Sequence, residues 1–112
     1  TCHHNDPKLM ELAHTLVETE WNRTPALFYL WGHSYEFEAD NNWNVIEEFA
    51  AYIGGRENIW YATNIEVYDY VKAYERLIFS TDGKKVYNPA NIEVFFAKDE
   101  KIICAKPGMT TL

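Results

Sequence analysis

The sequence predicts an α/β fold in which βαβ units give way to short antiparallel strands. Three observations predict it. Apolar residues recur at helical spacing in three segments; two short, unbroken apolar runs lie among those segments; and turn signals crowd the chain after Leu77. With 112 residues, 47% of them apolar and 16% aromatic, the chain is long enough for one modest core and too apolar for a disordered segment. The division expected from this pattern is βα units over residues 1–77 and a β-strand extension of the same domain over 78–112.

The first helix is expected over residues 7–20. Asp6-Pro7 reads as an N-cap followed by proline at the first helical position, and Leu9, Leu12, Ala13 and Leu16 follow at i, i+3, i+4 and i+7. After Thr24-Pro25, the run Ala26 to Trp31 has no alternation, which predicts a strand buried on both faces. A second helix starts near Asn42, with Ile46, Phe49, Ala50 and Ile53 as its buried stripe and Gly54-Gly55 as a left-handed stop. Ile59 to Ala62 reads as a second strand. Thr63-Asn64-Ile65-Glu66 then fits a capping box that opens a third helix, with Val67, Tyr70, Val71 and Tyr74 inward. Beyond Leu77, Asp82-Gly83 predicts a hairpin between Ile78-Phe79-Ser80 and Val86-Tyr87. Asn88-Pro89 interrupts, and Ile92–Ala97 and Lys101–Ala105 flank a polar turn at Lys98-Asp99-Glu100.

Several function classes are excluded at this level. The formal charge is -7, and the ten Lys and Arg are scattered rather than clustered, which argues against nucleic acid as a partner. No apolar run approaches the length of a membrane span. The first residues carry neither a basic segment nor a hydrophobic one of the signal-peptide kind, and no initiator Met. We expect from this that residues preceding Thr1 complete the domain. Otherwise, self-association would cover the exposed sheet edges. Cys2 and Cys104 have no Cys-x-x-Cys spacing, and a disulfide and two free thiols both remain open.

In parallel α/β folds, functional side chains collect where strands end. The richest such segment is Gly32 to Glu38. Gly32 permits close backbone approach, and His33 follows it with Glu36 and Glu38 downstream. An imidazole beside a carboxylate suits a general acid, while a histidine bonded to a backbone carbonyl would be purely structural. His3-His4, with Asp6 nearby, is read as a cap or a mobile terminus. Adjacent histidines point in different directions, so no metal site is expected there. Trp21, Trp31, Trp43 and most of the tyrosines are read as packing, and Lys84-Lys85 as a solvated edge. Asn22-Arg23-Thr24 fits a glycosylation sequon, although Pro25 follows it.

Leu30-Trp31-Gly32-His33 matches a Leu-x-x-His pattern, and the string Leu27 to Phe37 resembles a bacterial branch of the polysaccharide deacetylases, the NodB-homology carbohydrate esterases. Ile59 to Tyr68 and Val86 to Pro89 are similar to the same family in the same order. The resemblance implies the C-terminal part of a distorted (β/α) barrel that hydrolyses N-acetyl groups of glycans such as chitin or peptidoglycan. It also implies a divalent metal, zinc by the family's habit, in the full-length enzyme. His33 would be the general acid that protonates the leaving amine, and Leu30 would wall the acetyl pocket. Trp60 and Tyr61, at a strand end near the active-site rim, would touch the glycan.

The departures are as informative. The Asp-Asp motif, the His-Ser/Thr-x-x-His motif and the Arg-x-Pro-Tyr segment are absent, and in the family all precede the final histidine motif. The expectation is therefore that these 112 residues alone hold no metal and do not turn over substrate. The alternative is a non-catalytic carbohydrate-binding or interaction module. Cytoplasm and cell surface both remain open as compartments.

Overall fold

The computed structural model describes residues 1–20 and 25–112. Trp21 and the Asn22-Arg23-Thr24 sequon lie outside the described residues. The chain is mixed helix and strand, and it falls into two units, Thr1–Ile59 and Trp60–Leu112.

The first unit runs β1 (Cys2–His3), α1 (Leu9–Glu18), β2 (Leu30–Trp31), α2 (Ser34–Ala39) and α3 (Trp43–Ile53). Its two strands pair in parallel, with Cys2 opposite Leu30 and His3 opposite Trp31. The N–H of Cys2 donates to the Tyr29 carbonyl at 2.8 Å and that of His4 to the Trp31 carbonyl at 3.1 Å, extending the ladder at both ends. A βαβ unit is therefore present, but it is β1–α1–β2 and not the one expected between Ala26–Trp31 and Ile59–Ala62. The segment read as a cap or mobile terminus supplies its first strand, which at two residues is too short to show a period.

α1 begins at Leu9 rather than Pro7. The Asp6 carboxylate accepts the Lys8 N–H at 2.8 Å, and the Asp6 carbonyl accepts that of Leu9 at 3.0 Å, so residues 6–8 form a turn before the helix. Leu9 and Ala13 are buried, whereas Leu12 faces outward. The run Ala26 to Trp31 departs further from expectation. Only Leu30–Trp31 is paired, and burial alternates: Phe28 and Leu30 pack on the core while Leu27, Tyr29 and Trp31 are exposed. The cause is that the core cluster of α1 and α3 residues, Leu9, Ala13 and Phe49, meets Cys2 and Leu30 on one face of the sheet. A strand covered on one face shows period two in burial even when its sequence does not. α3 matches its predicted stripe at Ile46, Phe49 and Ile53, but Ala50 is exposed. Its stop is as expected, since Gly55 has φ of 70°.

Ile59–Ala62 is not a strand. Ile59 closes the first unit, and Trp60, Tyr61 and Ala62 lie in exposed irregular chain at the start of the second. The second unit continues with α4 (Asn64–Glu75), β3 (Ile78–Phe79), β4 (Lys85–Asn88), β5 (Val94–Lys98), β6 (Lys101–Ala105) and β7 (Gly108–Thr111). The Thr63 capping box forms: the Glu66 carboxylate accepts both the N–H and the hydroxyl of Thr63 at 2.7 Å. Of the residues expected inward on α4, Val67 and Tyr70 are half-buried, whereas Val71 and Tyr74 are exposed, and Ala73 is the buried position. The small side chain marks the line of close approach, which a search for large apolar residues misses.

The antiparallel tail is as expected, in two sheets. β3, β4 and β7 form one, with Phe79 opposite Val86 and Val86 opposite Thr110. β5 and β6 form the other, joined by a two-residue turn in which Asp99 and Glu100 both have positive φ, as a primed hairpin turn requires. Alternation along β4 and β5 buries Val86, Asn88, Val94 and Phe96, and Val86, Phe96 and Ala105 make the core of this unit. No sheet among the described residues closes into a barrel. No described helix is long and apolar enough to cross a membrane. Cys2 and Cys104 are both free thiols.

Candidate functional site

Because β1 and β2 are parallel, their C-terminal ends lie side by side, with histidines at or within two residues of both ends. His3 ends β1, His4 occupies the turn after it, and His33 follows Gly32 beyond β2. The short helix α2, absent from the sequence reading, starts immediately after His33. It brings Glu36 back over the strand ends.

Glu36 is the centre of the group. Its Oε2 accepts the backbone N–H of His33 at 2.9 Å, the carboxylate half of a capping box at the start of α2. The same oxygen lies 3.3 Å from Nε2 of His3, 3.4 Å from Nε2 of His4 and 3.7 Å from Nδ1 of His33. The bond from His33 holds the Glu36 carboxyl below the usual carboxylate range, and the three neighbouring imidazoles act in the same direction. Glu36 is therefore ionised wherever the protein works near neutral pH.

The two adjacent histidines do not diverge. Their ring centroids are 4.3 Å apart, tilted by 33°, and both Nε2 atoms face Glu36. The chain leaves the extended conformation directly after His3, which breaks the alternation of side-chain directions that a strand imposes. His3 is packed edge-on to Trp31, with ring centroids 4.5 Å apart, and its Nδ1 accepts the Asn5 N–H at 3.1 Å. His4 is buried, with 3% exposure, between the rings of His3 and Phe37. Its Nε2 makes no hydrogen bond. Asn5 ties this turn to the end of α2, donating to Asp40 and accepting from Asn42, both at 2.9 Å.

Among the expected site residues, His33 is exposed (59% for its side chain) at the mouth of this group. Glu36 joins it but Glu38 does not: two positions on along α2, Glu38 points away and accepts Trp43 Nε1 at 3.1 Å. Leu30 is half-buried against the core cluster of Cys2 and Phe49. Asp6 is engaged by Lys8 and is outside the histidine group. Trp60 and Tyr61 are exposed residues of the second unit, Trp60 lying 5.5 Å from the Tyr70 ring. His3 and His4 are the site residues that sequence reading set aside. Their signal was present as a His-His pair just before an Asp-Pro helix start, but it becomes legible only with the pairing of residues 2–3 and 30–31. Comparison with protein-family models, with curated proteins and with solved structures found no match.

Proposed function

We propose that the chain is part of a hydrolase that removes acetyl groups from N-acetylated glycans, with His33 as its general acid. The observation that supports this reading is the position of His33. It is an exposed imidazole directly beyond the C-terminal end of one parallel strand, beside the end of the next, with the Glu36 carboxylate 3.7 Å from its Nδ1. Parallel β/α folds place catalytic side chains there. On this reading β1 and β2 are neighbouring strands of a larger (β/α) barrel, and the side chains beyond them face its active-site end.

In that role His33 donates a proton to the amide nitrogen as the tetrahedral intermediate collapses. The C–N bond breaks with its electron pair going to nitrogen, and acetate and a free amine leave. Glu36 anchors the His33 backbone and supplies a negative charge beside the ring. The metal-binding and base motifs that the resemblance implies are not in this sequence. The donor set on hand, two histidines and a glutamate, differs from the family's Asp-His-His, so no step is derived through that metal.

The test is acetate release from an N-acetylated chito-oligosaccharide by the protein that carries this chain. His33→Ala should lower kcat by about 10²–10⁴-fold, the usual worth of a general acid, with KM little changed. Undiminished turnover by that variant, or no deacetylation by the parent protein, rejects the reading. The exposed Trp60 and Tyr61 favour a second reading, glycan binding without catalysis. Retained glycan affinity without acetate release would select it.

A further inference from the structure

We infer that His3, His4 and Glu36 form a binding site for one divalent transition-metal ion of zinc-like ligand preference. This is independent of the deacetylase reading and departs from the expectation that these residues hold no metal. Each residue offers a donor atom, all within 4.8 Å of one another, and the Nε2 atoms of His3 and His4 are those that face the Glu36 carboxylate.

The distances carry the inference. A good N–H···O bond spans about 2.7–3.2 Å. The two imidazole-to-carboxylate separations, 3.3 and 3.4 Å, are longer than that. They equal the ligand-to-ligand edge of a tetrahedral zinc site, roughly 3.3–3.4 Å for bonds of about 2.0–2.1 Å. Two of the three ligand-to-ligand edges thus match those of ligands that share an ion.

His4 provides the second observation. Its ring is 97% removed from solvent, and its Nε2 is aimed at the Glu36 oxygen without a hydrogen bond. A buried polar atom without a partner is costly and uncommon in a folded protein. A metal ion at the position that His4, His3 and Glu36 face would satisfy it.

Contacts around the group hold its donors in place. Glu36 is held by the His33 N–H, His4 by stacking on Phe37, and the turn between His4 and α1 by the bonds from Asn5 to Asp40 and Asn42. Two imidazoles and one carboxylate suit zinc-like metals better than calcium or magnesium, which prefer all-oxygen shells. Three protein ligands leave a fourth position for water or substrate, and the exposed His33 ring lies 3.7 Å from the same Glu36 oxygen.

One bond must change when the ion enters. His3 Nδ1 now accepts the Asn5 N–H, so in the neutral ring the proton is on Nε2. Coordination through Nε2 moves that proton to Nδ1, which can no longer accept from Asn5. The Asn5 amide is therefore the backbone reporter of metal uptake.

The experiment is titration of the 112-residue chain with Zn²⁺, followed by calorimetry and by ¹⁵N and amide NMR. The expected result is one ion per chain, metal-bound shifts at the ring nitrogens of His3 and His4, and displacement of the Asn5 amide resonance. The rings of His14 should keep their metal-free shifts. Glu36→Gln, which preserves size while removing the charge, should weaken Zn²⁺ binding at least about 10-fold, the loss ordinarily caused by removing even a supporting residue of a metal site. No stoichiometric uptake, uptake at His14 with Glu18, or an unchanged affinity in Glu36→Gln would each overturn the inference.

Discussion

The backbone of Gly32 lies against the imidazole of His4 so closely that a Cβ at residue 32 would collide with the ring, 1.7 Å from its Nδ1. The two residues follow adjacent parallel strands, and the buried ring occupies the space that the missing side chain leaves. The glycine in Leu-Trp-Gly-His thus serves the neighbouring histidine as much as its own turn.

Gly32→Ala is therefore expected to displace His4 and to destabilise the first unit by about 1–3 kcal/mol, the usual cost of overpacking a filled site. The positive φ of Gly32 adds to the strain of any side chain there. Urea unfolding of wild type and variant measures the cost. An alanine variant as stable as wild type would show that His4 has room to move.

Glu36 makes stability depend on pH in a definite direction. Its folded-state pKa is lowered, first by the His33 N–H and then by the histidines around it. The unfolded state therefore takes up this proton at higher pH than the folded state. The contribution is complete above the unfolded value, about 4.3, and is lost as pH falls through the lower folded value. Wild type should exceed Glu36→Gln in melting temperature at neutral pH, and the gap should narrow in acid below that value. A gap that stays constant down to the acid unfolding of both proteins would contradict the assignment.

Asn88 is the polar keystone of the second unit. It is 1% exposed; its amide donates to the carbonyls of Ile92 and Ala105 at 2.8 Å, and its Oδ1 accepts the Ala90 N–H at 2.9 Å. Asn88→Asp removes both donors and sets an acceptor against two carbonyl oxygens. Asn88→Leu leaves the same groups unpaired. Each should cost about 2–4 kcal/mol, the scale for stranding buried hydrogen-bonding groups. Chemical denaturation checks this, and a loss under 1 kcal/mol in both variants would mean that water takes over these bonds.

Much of the fold was legible because it rests on local chemistry. The Thr63–Glu66 capping box, the left-handed Gly55 stop and the Asp82-Gly83 turn each involve residues a few positions apart. The alternation in β4 and β5 is similarly local, since it reflects one covered face along one strand. Where the sequence misled, a neighbour from elsewhere in the chain had decided the outcome. The run Ala26 to Trp31 is apolar throughout, but with the core cluster on one face of its short sheet, Tyr29 and Trp31 are left exposed. Ile59–Ala62 has strand composition but no strand to pair with among the described residues.

The candidate site divides in the same way. That His33 follows a strand, and that Gly32 permits close approach beside it, can be read within one segment of the chain. The same segment also held the signal, S-Y-E spacing after His33, that places Glu36 one helical turn from the cap. That His3 and His4 face the same carboxylate is set by contacts between distant segments. Their convergence depends on the parallel register of Cys2 with Leu30 and on the turn that ends β1 at His3. The register relates residues about thirty positions apart, and no periodicity within either segment can specify the distance between their side chains.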